Sequence, residues 1–163
     1  MIPKDISQIT ESDLFALIEN ETYERKDIEY KQSLSLYTDK EKKEFLADVS
    51  SFANSISGDL IIGITEDKAT GKPNAVVGIS VENIDQEKLR IEGIIQSGIQ
   101  PRIPQKDVFY IKLKNGNYVL IVRIYRSWIG PHRIIFNGWD KFYSRTSAGK
   151  YPLDVDEIRL AFS

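Results

Sequence analysis

The sequence predicts an α+β fold, a mixed and largely antiparallel β-sheet with helices packed on one face. Three observations carry this. Two segments of helical length, residues 39–54 and 83–98, repeat their apolar residues at the spacing of one helix face. Two apolar runs flank Asn115-Gly116, a strong short-range hairpin signal. A fully apolar run, Leu60 to Ile64, is bounded by turn residues and reads as a buried strand. Helices mixed with antiparallel hairpins indicate α+β layering.

The elements follow in chain order. Thr10 or Ser12 caps a short helix whose apolar face is Leu14, Phe15, Leu17 and Ile18. Asp27 to Ser33 alternates and is a strand. Over residues 39–54, Phe45, Leu46, Val49, Phe52 and Ala53 share one helix face, and Gly58 ends the unit. A polar loop from Glu66 to Asn74 joins the buried strand to a second one, Ala75 to Ile79, as a hairpin. The helix over 83–98 turns Ile91, Ile94 and Ile95 inward, and Pro101 and Pro104 force an extended connection after it. Val108 to Lys114 and Tyr118 to Tyr125 form the Asn-Gly hairpin, followed by short β segments at Arg133–Phe136 and Lys141–Arg145 and a last helix from Leu153 to Phe162.

At 163 residues with 41% apolar composition, residues 1–163 are expected to form a single domain with a real core. There is no cysteine, which removes disulfides and thiolate metal sites. No apolar stretch reaches the ~20 residues of a membrane span, and the first residues lack the apolar core of a signal peptide. The expected location is the cytoplasm, with no membrane partner. Charge is segregated: residues 1–99 hold 11 Lys/Arg against 19 Asp/Glu, whereas residues 100–150 hold 10 against 2. A basic strand-rich half on an acidic protein can present a phosphate-attracting face, or simply the solvated side of amphipathic strands.

Several chemistries are excluded. Gly71-Lys72 is followed by Pro73 and Gly149-Lys150 by Tyr151, so no Walker-type phosphate loop exists. His132 is the one histidine, which removes His-rich metal sites and leaves a Ser-His-Asp triad without a nearby carboxylate. Carboxylate chemistry remains. Glu24 and Glu29 flank the start of the first strand, and Glu66 and Asp67 follow the buried strand, at the end where open sheets place ligands. A few carboxylates suit Mg²⁺ or Mn²⁺, which would stabilise charge on a phosphodiester and activate water. Like charges held together need such a cation or a basic neighbour, and Lys31 is the candidate. The same four acids also read as ordinary solvated loop residues.

The order of motifs resembles the Schlafen-type AlbA-like domains over roughly residues 22–160. Glu24-Arg-Lys-Asp-Ile-Glu-Tyr-Lys31 is similar to the family's opening block. Val49 to Asp67 (VSSFANSISGDLIIGITED) is similar to its central segment, with Asp59 where a second glycine usually stands. VVGI, the Gln100-Pro101 to Pro104 stretch, YVLIVRIYRSWIGPH and FYSRTSAGKYPL resemble later blocks in the right order.

The resemblance implies a nucleic-acid-binding α+β domain. In active members this is a metal-dependent endoribonuclease on structured RNA such as tRNA, and the expected setting is stress or phage defence. It implies Glu24, Glu29 and Glu66 as metal ligands, with Asp67 the near alternative to Glu66, Lys31 assisting, and Asn54 as either a helix cap or a site residue. Arg123, Arg126, Arg133, Lys141, Arg145 and Lys150 are then the expected nucleic-acid contacts, interleaved with Tyr125, Trp128, Trp139 and Tyr143, which either stack bases or pack the core. Vertebrate relatives pair two lobes, so a homodimer would be needed for a comparable groove. The alternative is a non-catalytic DNA- or RNA-binding module, or a nucleotide-binding one, serving a regulator or larger effector.

Overall fold

A computed structural model describes residues 1–163. Its centre is a four-stranded sheet of β1 (Ile28–Lys31), β2 (Gly58–Ile62), β7 (Tyr118–Ile124) and β6 (Lys106–Lys112), in the order β1-β2-β7-β6. The β1–β2 pair is parallel and the other two are antiparallel, so the sheet is mixed as the hairpins require. Three two-stranded pieces surround it: β3 (Ile64–Glu66) with β4 (Pro73–Val76), β5 (Ile99–Gln100) with β8 (Arg133–Ile134), and β9 (Tyr143–Thr146) with β10 (Gly149–Pro152). The helices are α1 (Glu11–Glu19), α2 (Asp39–Ala53), α3 (Ile84–Gly98) and α4 (Val155–Ala161).

Alternation along the strands sorts the core into two layers. Leu60, Ile62, Leu120, Val122 and Ile124 face α2 and α3 and join Phe45, Leu46, Val49, Phe52, Ile91 and Ile95. The residues between them, Ile61, Val119 and Ile121, point the other way with Ile28 and Tyr30. That second face is not left to solvent: Ile2, Ile9 and Leu14, from the N-terminal segment and α1, close it. The two long helices thus share one face, and the first residues cap the other.

Local chemistry explains the boundaries. Thr38 caps α2 by accepting from Glu41 N at 3.2 Å while Glu41 accepts from Thr38 N at 3.2 Å. The hairpin of β6 and β7 closes with Leu113 N donating to Asn117 O at 2.8 Å, and Gly116 takes the positive φ that such a three-residue loop needs. The run Leu60–Ile64 is not one strand. Gly63, at φ +110°, bends the chain so that β3 leaves the sheet and pairs with β4. No helix is long and apolar enough to cross a membrane.

Candidate functional site

Two carboxylates from distant segments meet because of that bend. Glu66 ends β3, which folds back along β1, and Glu24 lies in the segment entering β1. Glu24 is held from both ends: its N–H donates to Gly71 O at 2.8 Å, and its Oε1 accepts from Tyr30 N at 3.0 Å. Burial, and then the facing Glu66 carboxyl, push the Glu24 acid up to about 7. Oε2 of Glu66 is itself buried and no N–H or hydroxyl reaches it. Two acids in this arrangement are reconciled by a shared proton or by a cation.

Glu29 stands on β1, on the face turned to α2. Its Oε2 accepts from Arg145 Nη2 at 2.9 Å. Burial, with the neighbouring Asp48 charge, raises its pKa, and Arg145 opposes the rise. Behind it lies Asp48 of α2, wholly buried. Lys31 Nζ lies 3.3 Å from its Oδ2, Lys150 Nζ 3.0 Å from its Oδ1, and Arg145 Nη1 3.9 Å from Oδ1. Lys150 also reaches Glu44 at 3.1 Å. Burial alone would lower the Lys150 ammonium, but Asp48 and Glu44 hold it above its ordinary value. Three acids, Glu29, Asp48 and Glu44, and three cations therefore interlock under the sheet edge.

The site opens to a recess of roughly 240 Å³ between the turn 67–72 and the turn 146–149, lined by Glu24, Glu29, Arg25, Lys68, Thr70 and Ser147 among others. A larger hollow of roughly 570 Å³, between α3 and the segments 32–37 and 77–83, contains none of the predicted site residues.

The remaining expectations fall in different places. Asp67 is exposed and turned away from the pair: its Oδ1 accepts from Ala69 N at 2.8 Å and Thr70 N at 3.2 Å, and its backbone O from Gly71 N at 2.7 Å. It shapes the turn whose Gly71 carbonyl holds Glu24. Among the expected nucleic-acid contacts, Arg123 and Arg145 are each 2% exposed, which takes both off the surface. Arg123 donates to Asp59 Oδ1 at 2.7 Å and to the carbonyls of Ile2 and Lys4. Arg145 serves Glu29 and Lys26 O, with its guanidinium over the Phe52 ring at 4.2 Å. A buried guanidinium with most of its five donors engaged in this way is not available to a phosphate.

Lys150 is largely committed to Asp48, whereas Arg126 and Lys141 are exposed and Arg133 is half-buried. Tyr143 is buried in the core, and Trp139 packs at its margin beneath Lys141 and Lys43. Tyr125 donates to Asp107, and Trp128 stands in solvent. Asn54 caps α2 and stitches it to the sheet, donating to the carbonyls of His132 and Tyr143 and accepting from His132 N at 2.7 Å.

Asp48, Arg25 and Lys68 escaped the sequence reading. For Asp48 a signal existed: it lies on the apolar stripe of α2, between Phe45 and Phe52, where a charge must have buried partners. Arg25 and Lys68 carried none, since they are ordinary turn residues until the fold brings them to the recess.

The sequence matches the family described as Schlafen, AlbA_2 over residues 24–154. The chain belongs to that Schlafen AlbA_2 family. No curated protein matches it. Among solved structures it is similar to the N-terminal domain of a RecG-related protein from Nitrosomonas europaea, determined by NMR, at 16% identity and a TM-score of 0.60, covering 85% of this chain and 89% of that one. At that identity the likeness concerns the fold. The Schlafen AlbA_2 match begins at Glu24 itself and spans every strand of the central sheet.

The donors present suit a hard divalent cation. Mg²⁺ is commonly held by one or two carboxylates with water and phosphate completing its shell. Glu24 and Glu66 are such a pair, and Oε2 of Glu66 is buried without a partner. No three acidic side chains gather closely enough to share one ion, because Glu29 is turned to Arg145. A bound cation would supply charge neutralisation at a phosphodiester. The chain's own contribution is to pair Lys31 with the buried Asp48 and to hold a proton on the Glu24–Glu66 pair when no cation is there.

Proposed function

We propose that this chain is a nucleic-acid-binding domain whose acidic recess cleaves RNA with the help of Mg²⁺ or Mn²⁺. The proposed substrate is a structured RNA such as tRNA, and the proposed setting is stress or phage defence in the cytoplasm. Glu24 and Glu66 are the proposed first ligands. Glu29 joins them if substrate or metal draws Arg145 away, and Lys31 offers charge to the scissile phosphate. The observation that carries this reading is the meeting of Glu24 with Glu66 at the edge of a recess lined by Glu24, Glu29, Arg25 and Lys68. Acids that would hold a cation sit beside cations that would hold a phosphate. Family membership supports the nucleic-acid part.

A second reading is a non-catalytic DNA- or RNA-binding module, and the Glu29–Arg145 bond favours it, since it occupies the third acid. The two separate in one experiment: total tRNA incubated with Mn²⁺ and either wild type or Glu24→Ala. Cutting by wild type alone supports the nuclease. Equal banding from both removes that mechanism, and salt-sensitive binding without cleavage leaves the module.

A further inference from the structure

The strand ends on the side where β1 begins carry a surface that continues outward from the acidic recess. The order β1-β2-β7 sets three chain segments side by side there. Asp59 N donates to Asp27 O at 3.0 Å, and Arg126 N donates to Ser57 Oγ at 2.8 Å. The turn into β1 exposes Arg25 and Lys26, and Arg25 also lines the recess. The loop leaving β7 exposes Arg126, and Trp128 within it is 84% exposed. The Arg126 guanidinium lies 4.7 Å from the centre of the Trp128 ring. One ring face is backed by a cation and the other lies in water.

An indole left in solvent contributes nothing to the core, and large aromatics on a protein surface mark contact sites. Charge decides between partners. Lys26 and Arg126 make no salt bridge, and Arg25 has only Asp27, which also receives the N-terminal amine. Cations without acids beside an open aromatic face fit a polyanion that carries planar rings.

We infer that Trp128, backed by Arg126, is a stacking platform for an unpaired base of the strand whose phosphate enters the acidic recess. The loop lies two strand spacings from the start of β1, ~10 Å. That is the reach of about three stacked nucleotides, fewer if the strand is extended. Arg25 and Lys26 lie between, placed to hold the intervening phosphates. The preferred substrate is accordingly a loop or frayed end, because bases inside a continuous duplex offer no free face. This inference rests on the nucleic-acid part of the proposed function and not on cleavage.

The test is binding by the intact chain in EDTA, read by fluorescence anisotropy, to a labelled single-stranded RNA and to a blunt duplex of equal length. Trp128→Ala should weaken single-strand binding by about 5- to 100-fold, the range for loss of one base–aromatic stack. Duplex binding should change less than about twofold, and Trp128→Phe should recover most of the loss. Circular dichroism establishes that the variants fold. Equal single-strand affinity for wild type and Trp128→Ala overturns the inference, as does an equal loss on the duplex. A change in sedimentation with unchanged RNA affinity also overturns it and assigns the loop to a protein contact. Should wild type bind neither RNA, the nucleic-acid reading falls and takes this inference with it.

Discussion

Lys150 Nζ sits 3.0 Å from Oδ1 of Asp48, an ion pair in which the aspartate side chain is fully buried and the lysine side chain keeps a fifth of its surface in water. This contact helps tie the β9–β10 hairpin to α2. Replacing Asp48 by Ala would leave Lys31, Lys150 and Arg145 facing one another without their common acid. Removing one partner of a buried pair costs about 3–5 kcal/mol. Urea denaturation of Asp48→Ala should show a loss of that order, with Asp48→Asn losing less.

Arg123 and Asp59 make the corresponding prediction on the opposite face. Arg123→Ala strands the buried Asp59 and frees the carbonyls of Ile2 and Lys4, so a loss of about 3–5 kcal/mol is expected. The double replacement Asp59→Leu with Arg123→Met should lose less than Arg123→Ala alone. Thermal melts of the three proteins check the order.

Glu24 predicts a pH dependence with a definite sign. Its folded value, about 7, stands above the ordinary 4.5, so the folded chain prefers it protonated. Its contribution to stability is complete below about pH 4.5 and is lost as pH rises through about 7. The stability of wild type relative to Glu24→Gln should therefore fall between about pH 5 and pH 8. Mn²⁺ should raise the melting temperature of wild type more at pH 8 than at pH 6, since proton and cation compete for the pair. A flat difference curve would remove the buried-acid description.

Gly58 and Gly63 should reject side chains for different reasons. A Cβ on Gly58 would lie 2.1 Å from Phe52 Cε1 and 2.9 Å from the Asp27 carbonyl, so Gly58→Ala must displace the core. Overpacking of this kind costs about 1–3 kcal/mol. Gly63 combines φ +110° with a Cβ 2.9 Å from Gly78 Cα, and Gly63→Val should both destabilise the chain and separate Glu66 from Glu24. The second effect is measured by whether the Glu24 titration returns toward ordinary carboxylate values.

Much of this fold was legible because its signals are local. The spacing of Phe45, Val49 and Phe52 marks α2, and Asn115-Gly116 marks the β6–β7 hairpin, whatever lies elsewhere. The β10 strand went unread, since Gly149–Pro152 has no alternation of its own and forms only by pairing with β9. At the site, acidity at Glu24, Glu29 and Glu66 was readable, but partnership was not. Arg145 looks like any basic strand residue until α2 and β1 place Glu29 and Asp48 beside it. Arg123 likewise becomes a buried clamp because Asp59 lies opposite it across β2 and β7. Charges whose partners lie 64 to 116 residues away carry no sequence mark of burial.

The first residues of the chain do the work of a missing helix layer. Ile2 and Ile9 shield Ile61, Val119 and Ile121, and the backbone of Ile2 and Lys4 is moored to Arg123 and Asp59 through two carbonyls and one amide. Clipping that leading stretch would bare a β surface rich in isoleucine and valine and idle an arginine–aspartate couple at once. Such a trimmed molecule would turn sticky before it unravelled, and its colloidal behaviour would register the damage earlier than any assay on RNA.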